Sequence, residues 1–180
     1  PYSKHAHLFM GPLNIMALEK RRSMAAIETI DFEDEELDQF GAAQIQHLPQ
    51  TQLLDGYACI QCSRCQDACP AYETGKELSP SALEINKRYF INDNVSTIAN
   101  GESIDKALTD WMLTEEAAWS CTTCGYCIEV CPVGNEPMID ILRARQNLVM
   151  MESNFPQDAV ETFEKMENYG NPWGLSPQDR

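Results

Sequence analysis

The sequence predicts a mainly α-helical fold that carries two cysteine-rich loops. Apolar residues recur at helical spacing within 79–113 and 137–151, and Ser79 followed by Pro80 is a typical helix start. The interval between the loops shows no alternating pattern of the kind that predicts strands. A run of four cysteines occurs at 59–70 and recurs 62 residues later at 121–132. These observations predict a helical frame with the two cysteine runs as loops within it.

Helix-start and helix-stop residues place the individual elements. Before the second loop, we predict a helix from Thr51 into the first loop, one from Pro80 that ends at the turn-rich patch 92–101, and one from Ser103 to Leu113. A short helix at Glu115–Trp119, capped by Thr114, then leads into the second loop. After that loop, we predict a long helix from Pro137 through Met151 and one that starts at Phe155-Pro156 and stops at Gly170. Residues 39–50 are polar, and this pattern predicts a connector between elements. We divide the chain into an N-terminal arm and acidic linker (1–50), a helical domain with both loops (51–153) and a C-terminal helix and linker (154–180).

Both cysteine runs have the spacing C-x2-C-x2-C-x3-C-P, and together they use all eight cysteines of the chain. This is the run by which bacterial-type ferredoxins hold 4Fe-4S clusters. A thiolate at every third residue of a tight loop can reach three irons of a cubane cluster, so that the fourth iron faces away from the loop. The sequence therefore predicts two 4Fe-4S clusters.

The fourth cysteine of each run has its own expected role. In two-cluster ferredoxins it ligates the cluster of the other run. By that likeness, we expect one cluster on Cys59, Cys62, Cys65 and Cys131, and the second on Cys121, Cys124, Cys127 and Cys69. Pro70 and Pro132 turn the chain directly after the fourth cysteines.

Two other uses of cysteine fit less well. A disulfide framework gives no reason for two copies of one short spacing, each followed by proline. A structural zinc site takes four ligands in total, commonly as paired C-x2-C units, whereas each copy here offers a third and fourth cysteine in register.

Composition limits the partners and the compartment. With 180 residues and 43% hydrophobic content, we expect one compact domain with extensions. A formal charge of −15 repels nucleic acid, so we expect no polynucleotide partner. Eight reduced thiols favour a reducing, cytoplasm-facing compartment. No apolar run reaches the length of a membrane span, no signal peptide is visible, and a chain that starts at Pro1 indicates a processed or incomplete polypeptide.

The first 22 residues are basic, in contrast to the acidic remainder of the chain. Basic residues flank the apolar stretch 8–16, with Lys4 before it and Arg21 and Arg22 after it. This pattern favours either contact with a membrane surface on the cytoplasmic side, or an arm that docks on the acidic surface of the chain itself. The acidic run 31–38 is either a solvated linker or a docking patch for a basic redox partner.

Residues 51–153 resemble the alpha-helical ferredoxin domain of the heterodisulfide reductase C-like group, related to iron-sulfur modules of glycolate oxidase and anaerobic glycerol-3-phosphate dehydrogenase. Its flanks resemble the middle of membrane-bound Fe-S oxidoreductases, and the likeness lies in residues 2–8 with 12–14, 53–59 and 170–174. In those proteins a nitrate-reductase-gamma-like haem membrane domain precedes the ferredoxin domain, and a heterodisulfide-reductase-like domain follows it. Some pass electrons between electron-transfer flavoprotein and the quinone pool. The 180 residues contain neither flanking domain and none of the CCG motifs of the latter.

Together these features predict an iron-sulfur electron relay at the cytoplasmic face of the membrane, peripheral to it and part of a larger oxidoreductase. The resemblance implies redox partners: a heterodisulfide-reductase-like domain, a haem and quinone membrane domain, and electron-transfer flavoprotein. No acid-base pair, nucleophile or nucleotide loop is visible, so we expect the chain to have no substrate site of its own. The alternatives are a structural or redox-sensing module and a soluble subunit of a glycolate or glycerol-3-phosphate type dehydrogenase. An iron-sulfur subunit of a succinate or fumarate enzyme is disfavoured, because no cysteines are left for its 2Fe-2S site.

Overall fold

The computed structural model describes residues 5–17, 27, 29–34, 37–176 and 178. The described part of the chain contains α-helices joined by loops and no strand, which confirms the predicted mainly α fold. The helices are α1 (His7–Ala17), α2 (Gln50–Ala58), α3 (Arg64–Asp67), α4 (Pro70–Glu73), α5 (Pro80–Asp93), α6 (Val95–Ala99), α7 (Glu115–Ser120), α8 (Tyr126–Glu129), α9 (Pro137–Met150) and α10 (Gln157–Tyr169). Short 3-10 turns lie at Ile45–His47 and Leu108–Asp110.

Side-chain caps fix the starts of two helices where the sequence places them. The Ser79 hydroxyl accepts a hydrogen bond from the Ala82 N–H at 3.1 Å, and Pro80 is the first residue of α5. The Thr114 hydroxyl accepts one from the Ala117 N–H at the start of α7, also at 3.1 Å. At the other end of the chain, Gly170 adopts a left-handed φ of 67° and ends α10.

Three predicted boundaries are wrong. The first helix begins at Gln50 after Pro49, not at Thr51. The turn-rich patch after α5 contains the short helix α6. Residues 103–113 do not form an α-helix: only Leu108–Asp110 make a 3-10 turn, and the backbone before it pairs with residues 43 and 44. Ala107 bridges to Gln44, and the Leu108 N–H donates to the Ala43 carbonyl at 2.7 Å.

The main core lies between α5, α7 and α9 and includes the segment predicted as a polar connector. Ala42 and Leu48 from that segment are 1% and 4% exposed, so it is part of the core rather than a linker. The core residues are Ala42, Leu48, Cys69, Ala71, Leu78, Leu83, Leu108, Met112, Leu113, Ala117, Ala118, Ile141, Ala144 and Leu148. The predicted apolar stripe of α9 thus supplies packing, through Ile141 and Leu148 in particular.

Helix α1 packs along α2. Its contact is polar at the centre: Asn14 is 1% exposed and donates from Nδ2 to the Asp55 carboxylate at 2.6 Å. The opposite side of α1 is apolar and exposed. Lys4, Lys20, Arg21 and Arg22, on which the prediction of a basic arm depended, lie outside the described residues. Among the helices of the described residues, none has the length and apolar character needed to cross a bilayer.

Candidate iron-sulfur centres

The two cysteine loops repeat one backbone conformation. Each loop starts where a helix ends, at Cys59 after α2 and at Cys121 after α7. Residues at matching positions then adopt left-handed φ angles: Gln61 (57°) and Thr123 (53°), and two residues further on Ser63 (60°) and Gly125 (74°). Each loop continues into a one-turn helix, α3 or α8, and the two helices contact each other. Alternation of left-handed and other conformations in a tight loop turns successive N–H groups inward, as in anion-binding nests.

One N–H group of each loop donates to a cysteine sulfur. The Thr123 N–H lies 3.4 Å from the Cys121 Sγ, and the Gln61 N–H donates to the thiol of Cys59 at the matching position. Such hydrogen bonds favour the thiolate form that a metal cluster requires.

The first loop and the end of the second loop enclose one cavity. Cys59, Cys62, Cys65 and Cys131 all line it, and Cys127 also reaches its wall. Its volume, including the space open to solvent at its mouth, is about 360 Å³. The Cys131 Sγ accepts a hydrogen bond from the Asn135 N–H at 3.2 Å. The structure therefore brings together the four cysteines that we expect on the first cluster.

The second group of cysteines gathers around Cys69. Cys69 is 7% exposed and belongs to the main core, against which Cys121 also packs. Cys69 lies close enough to Cys121 and Cys127 to raise the pKa of both thiols, and Cys124 does the same. The fourth cysteine of the first run thus lies among the first three of the second run. The assignment of these residues as cluster ligands stays a prediction.

Burial makes the thiols poor anions in the absence of a metal. It raises the pKa of Cys59 to about 11 and the pKa values of Cys65 and Cys127 to about 12, and neighbouring thiols add to the shift. Iron would reverse this preference, because coordination deprotonates a thiol outright. The donor set, in which six of the eight sulfurs belong to buried or partly buried residues and loop N–H groups donate to them, therefore fits iron-sulfur clusters. Within the described residues, no three His, Cys, Asp or Glu side chains converge as they do around a single metal ion.

One cysteine of each loop reaches the protein surface. Cys62 and Cys124, which occupy the second position of their runs, are exposed, while Cys69 and Cys127 are buried. Each loop thus presents one candidate ligand to solvent.

A buried polar network that the sequence analysis missed borders the first cavity. Lys87 is fully buried on α5; its ammonium donates to the Asp140 carboxylate of α9 and lies 3.2 Å from the Glu84 carboxylate. Asp55, next to it, accepts from Asn14 and from the Glu136 N–H at 3.1 Å. Burial raises the pKa of Asp55 to about 6 and that of Glu84 to about 8, although Lys87 opposes both shifts. The available signal was that Glu84 and Lys87, and likewise Asp140, stand on faces that the apolar pattern marks as buried.

Arg145 holds the start of the second loop. Its Nε donates to the Ala118 carbonyl at 2.8 Å and its Nη2 to the Cys121 carbonyl at 2.5 Å. The guanidinium also lies 5.2 Å from the centre of the Trp119 ring. No pattern in the sequence connects this residue with the cysteines.

Residues 55–135 match the 4Fe-4S dicluster domain. This segment is therefore an iron-sulfur electron-transfer domain of the kind found in oxidoreductases. The match confirms the predicted 4Fe-4S chemistry.

Several curated proteins resemble the chain over a wider range. It is 35% identical to "Probable iron-sulfur-binding oxidoreductase FadF" of Bacillus subtilis over 100% of this chain and 30% of that protein. It is 31% identical to EtfAB:quinone oxidoreductase of Syntrophomonas wolfei over 97% of this chain and 27% of that protein. It is 28% identical to "Probable membrane-anchored ferredoxin" of Chromohalobacter salexigens over 72% of this chain and 22% of that protein. The chain thus spans less than a third of the length of these relatives. No solved structure matches it.

Proposed function

We propose that this chain relays single electrons through two 4Fe-4S clusters within a larger, membrane-associated oxidoreductase. The observation that carries the proposal is the arrangement of the eight cysteines in two groups, each with one exposed member, Cys62 or Cys124. A cluster that serves only as a structural brace needs no ligand at the surface, whereas a relay needs a short path to a partner at each end. The neighbouring thiols supply the ligands, and the loop N–H groups stabilise their negative charge.

Cluster content is the first test. Protein prepared without oxygen should contain about eight irons and eight labile sulfides per chain, as two four-iron clusters require. Both clusters should be reduced and reoxidised repeatedly in a potentiometric titration. Stoichiometric zinc without labile sulfide would exclude iron-sulfur chemistry, and clusters that do not cycle reversibly would favour a structural role.

Exchange of the fourth ligands is part of the proposal. It is supported by the shared cavity of Cys131 with the first loop and by the closeness of Cys69 to Cys121. In a Cys69→Ser variant we expect the cluster of the second loop to change its reduced-state paramagnetic spectrum, and in a Cys131→Ser variant that of the first loop. If each substitution instead perturbs the cluster of its own run, the two sites are independent.

We propose electron-transfer flavoprotein and the quinone pool as the redox partners of the whole assembly. The resemblance of the flanks and the likeness to EtfAB:quinone oxidoreductase support this proposal. Reduced electron-transfer flavoprotein, mixed rapidly with the oxidised protein, should bleach the cluster absorbance. If dithionite reduces the clusters and the flavoprotein does not, electron-transfer flavoprotein is excluded as a partner.

We also propose that α1 faces a bilayer or a membrane-embedded partner on the cytoplasmic side. Its outer surface is apolar: Phe9 is 73% exposed and Met16 is 81% exposed. A photo-crosslinking residue at position 9, introduced in the native cells, should label lipid or a membrane-embedded polypeptide. The matched control is position 163 on α10, where Phe163 is 51% exposed. Labelling of soluble proteins alone at position 9 would refute membrane contact.

A further inference from the structure

Helix α1 is joined to the first cysteine site by direct contacts, and its opposite face is apolar and exposed. We infer that the cluster of the first loop exchanges electrons with the partner that α1 faces in the membrane, and that the cluster of the second loop exchanges them with the soluble partner. This inference rests on the proposed function, in which α1 faces the membrane. It adds which of the two clusters lies at each end of the relay.

Asn14 connects α1 with a cysteine of the first site. Its Nδ2 donates to the Val133 carbonyl at 3.2 Å and to Oδ1 of Asn135 at 3.4 Å. The Asn135 N–H in turn donates to the Cys131 Sγ at 3.2 Å. Two hydrogen bonds through Asn135 therefore join α1 to a residue that lines the first cavity.

Asp55 of α2 fixes the same contact from the other side. Its carboxylate accepts from Asn14 at 2.6 Å and from the Glu136 N–H at 3.1 Å. Its backbone carbonyl accepts from Asn135 Nδ2 at 2.7 Å. Asn14, Asp55 and Asn135 are at most 2% exposed, so water does not compete for these hydrogen bonds. Helix α1 is thus held on the segment 133–136, which follows Cys131.

Gly11 lets α1 approach the wall of the first cavity closely. A Cβ at this position would lie 3.4 Å from a methyl group of Val133, which lines that cavity. The apolar residues Phe9, Leu13 and Met16 recur at helical spacing on the opposite face and are 73%, 49% and 81% exposed. The thickness of one helix, about 10–12 Å, therefore separates the first site from the partner on that face.

The exposed surfaces of the two loops differ at matching positions. The first loop exposes Ile60 (40%) and Arg64, where the second exposes Thr122 and Tyr126 (52%). An apolar side chain beside a basic one is a combination that a membrane surface favours. The second loop instead presents hydroxyl groups and a tyrosine around the exposed Cys124, as surfaces that bind soluble proteins do. The loop surfaces thus support the same assignment as the contacts of α1.

Each transfer moves one electron, and no bond forms or breaks. An electron that the cluster of the first loop loses is gained by the membrane partner, and the cluster of the second loop replaces it with one from the soluble partner. The reverse flow passes the same sites in the opposite order. The position of each cluster, rather than its potential, therefore assigns its partner.

Paramagnetic relaxation in the full-length protein tests the positions of the clusters. The protein is placed in phosphatidylcholine nanodiscs in which some headgroups carry chelated Dy(III), with La(III) as the diamagnetic control. Cys124→Ala and Cys62→Ala form a matched pair, because each removes the exposed cysteine of one loop and keeps the cluster of the other. Dipolar relaxation falls with the sixth power of distance. We therefore expect Dy(III) to accelerate the spin relaxation of the reduced cluster several-fold more in Cys124→Ala than in Cys62→Ala.

Reduced electron-transfer flavoprotein tests the route of the electron in the same two variants. It should reduce the cluster that Cys62→Ala keeps and should fail to reduce the cluster that Cys124→Ala keeps, although dithionite reduces both. Equal relaxation in the two variants, stronger relaxation in Cys62→Ala, or reduction of the first-loop cluster alone by the flavoprotein would overturn the inference.

A structure of the wild-type, full-length protein in nanodiscs gives the order of the clusters if a variant loses both of them. The cluster of the first loop should lie nearer to the bilayer, and the reverse order would overturn the inference. If Dy(III) accelerates relaxation in neither variant, the membrane contact of α1 in the proposed function is wrong, and the inference fails with it.

Discussion

Replacement of Lys87 by methionine should destabilise the protein strongly. Lys87 is fully buried and is the cation between the Asp140 and Glu84 carboxyl groups. Methionine has a similar length and fits an apolar site, but it leaves these carboxyl groups without their partner. Removal of one member of a buried ion pair costs about 3–5 kcal/mol. For a chain of this size, such a loss lowers the unfolding temperature by roughly 6–20 °C.

The stability lost in the Lys87→Met variant should grow with pH. Burial already raises the pKa of Glu84 from 4.5 to about 8 and that of Asp55 from 3.8 to about 6. The folded state holds the protons of Asp55 and Glu84 more tightly than the unfolded state does. The stability that these protons contribute is therefore present at low pH and is lost as the pH rises from the unfolded pKa values through the folded ones. Without Lys87 the carboxyl groups are still harder to ionise. We therefore expect a small loss near pH 5 and the full loss above pH 8.

Thermal unfolding of the anaerobic protein, followed by circular dichroism at both pH values, measures this effect. The matched control is Lys165→Met, which breaks a solvent-accessible pair with Glu161 at 2.5 Å, with side chains 34% and 76% exposed, and should cause no measurable change. A Lys87 variant as stable as this control would refute the role of the buried ion pair. An equal loss at both pH values would mean that packing, not charge, is responsible.

Backbone conformation gives two further predictions, both measured by thermal unfolding. A Cβ added to Gly41, whose φ is 74°, would lie 2.3 Å from a backbone oxygen of α9, so Gly41→Ala should cost about 3 kcal/mol or more. Gly75→Ala, with a φ of 77° and open space around it, should cost only about 1 kcal/mol, and equal losses would contradict the close-approach argument. Ser63→Gly should stabilise the first loop by about 0.5–1 kcal/mol, because Ser63 has a left-handed φ of 60° at the position of Gly125 in the second loop. Ser96→Gly within α6 should have the opposite sign, and a shared sign would refute the strain at Ser63.

Local signals predicted the parts of the fold that local chemistry determines. Ser79 and Thr114 cap their helices, and Gly170 ends α10, because each acts through atoms within a few residues. The cysteine spacing predicted the two loops for the same reason. The structure also gathers Cys131 with the first loop, as expected from the likeness to two-cluster ferredoxins.

Long-range pairing decided the features that the sequence analysis missed. Residues 103–113 have helical spacing, yet Leu108 bonds to Ala43, and no local pattern reports a partner 65 residues away. Similarly, Lys87 and Asp140 are charged residues that a composition argument places at the surface. They are buried because α5 and α9 bring them into contact, which offsets the cost of desolvation.

The shared cavity of Cys59, Cys62, Cys65 and Cys131 has a consequence for biosynthesis. Cys131 leaves the ribosome 66 residues after Cys65. At about 5–20 residues per second, the nascent chain exposes three closely spaced thiols for roughly three to thirteen seconds before the fourth is made. Under the proposed exchange of fourth ligands, a cluster delivered during translation would meet an incomplete site open to oxygen and to foreign thiols. We expect the cell to load this protein after translation, when both loops have folded against each other.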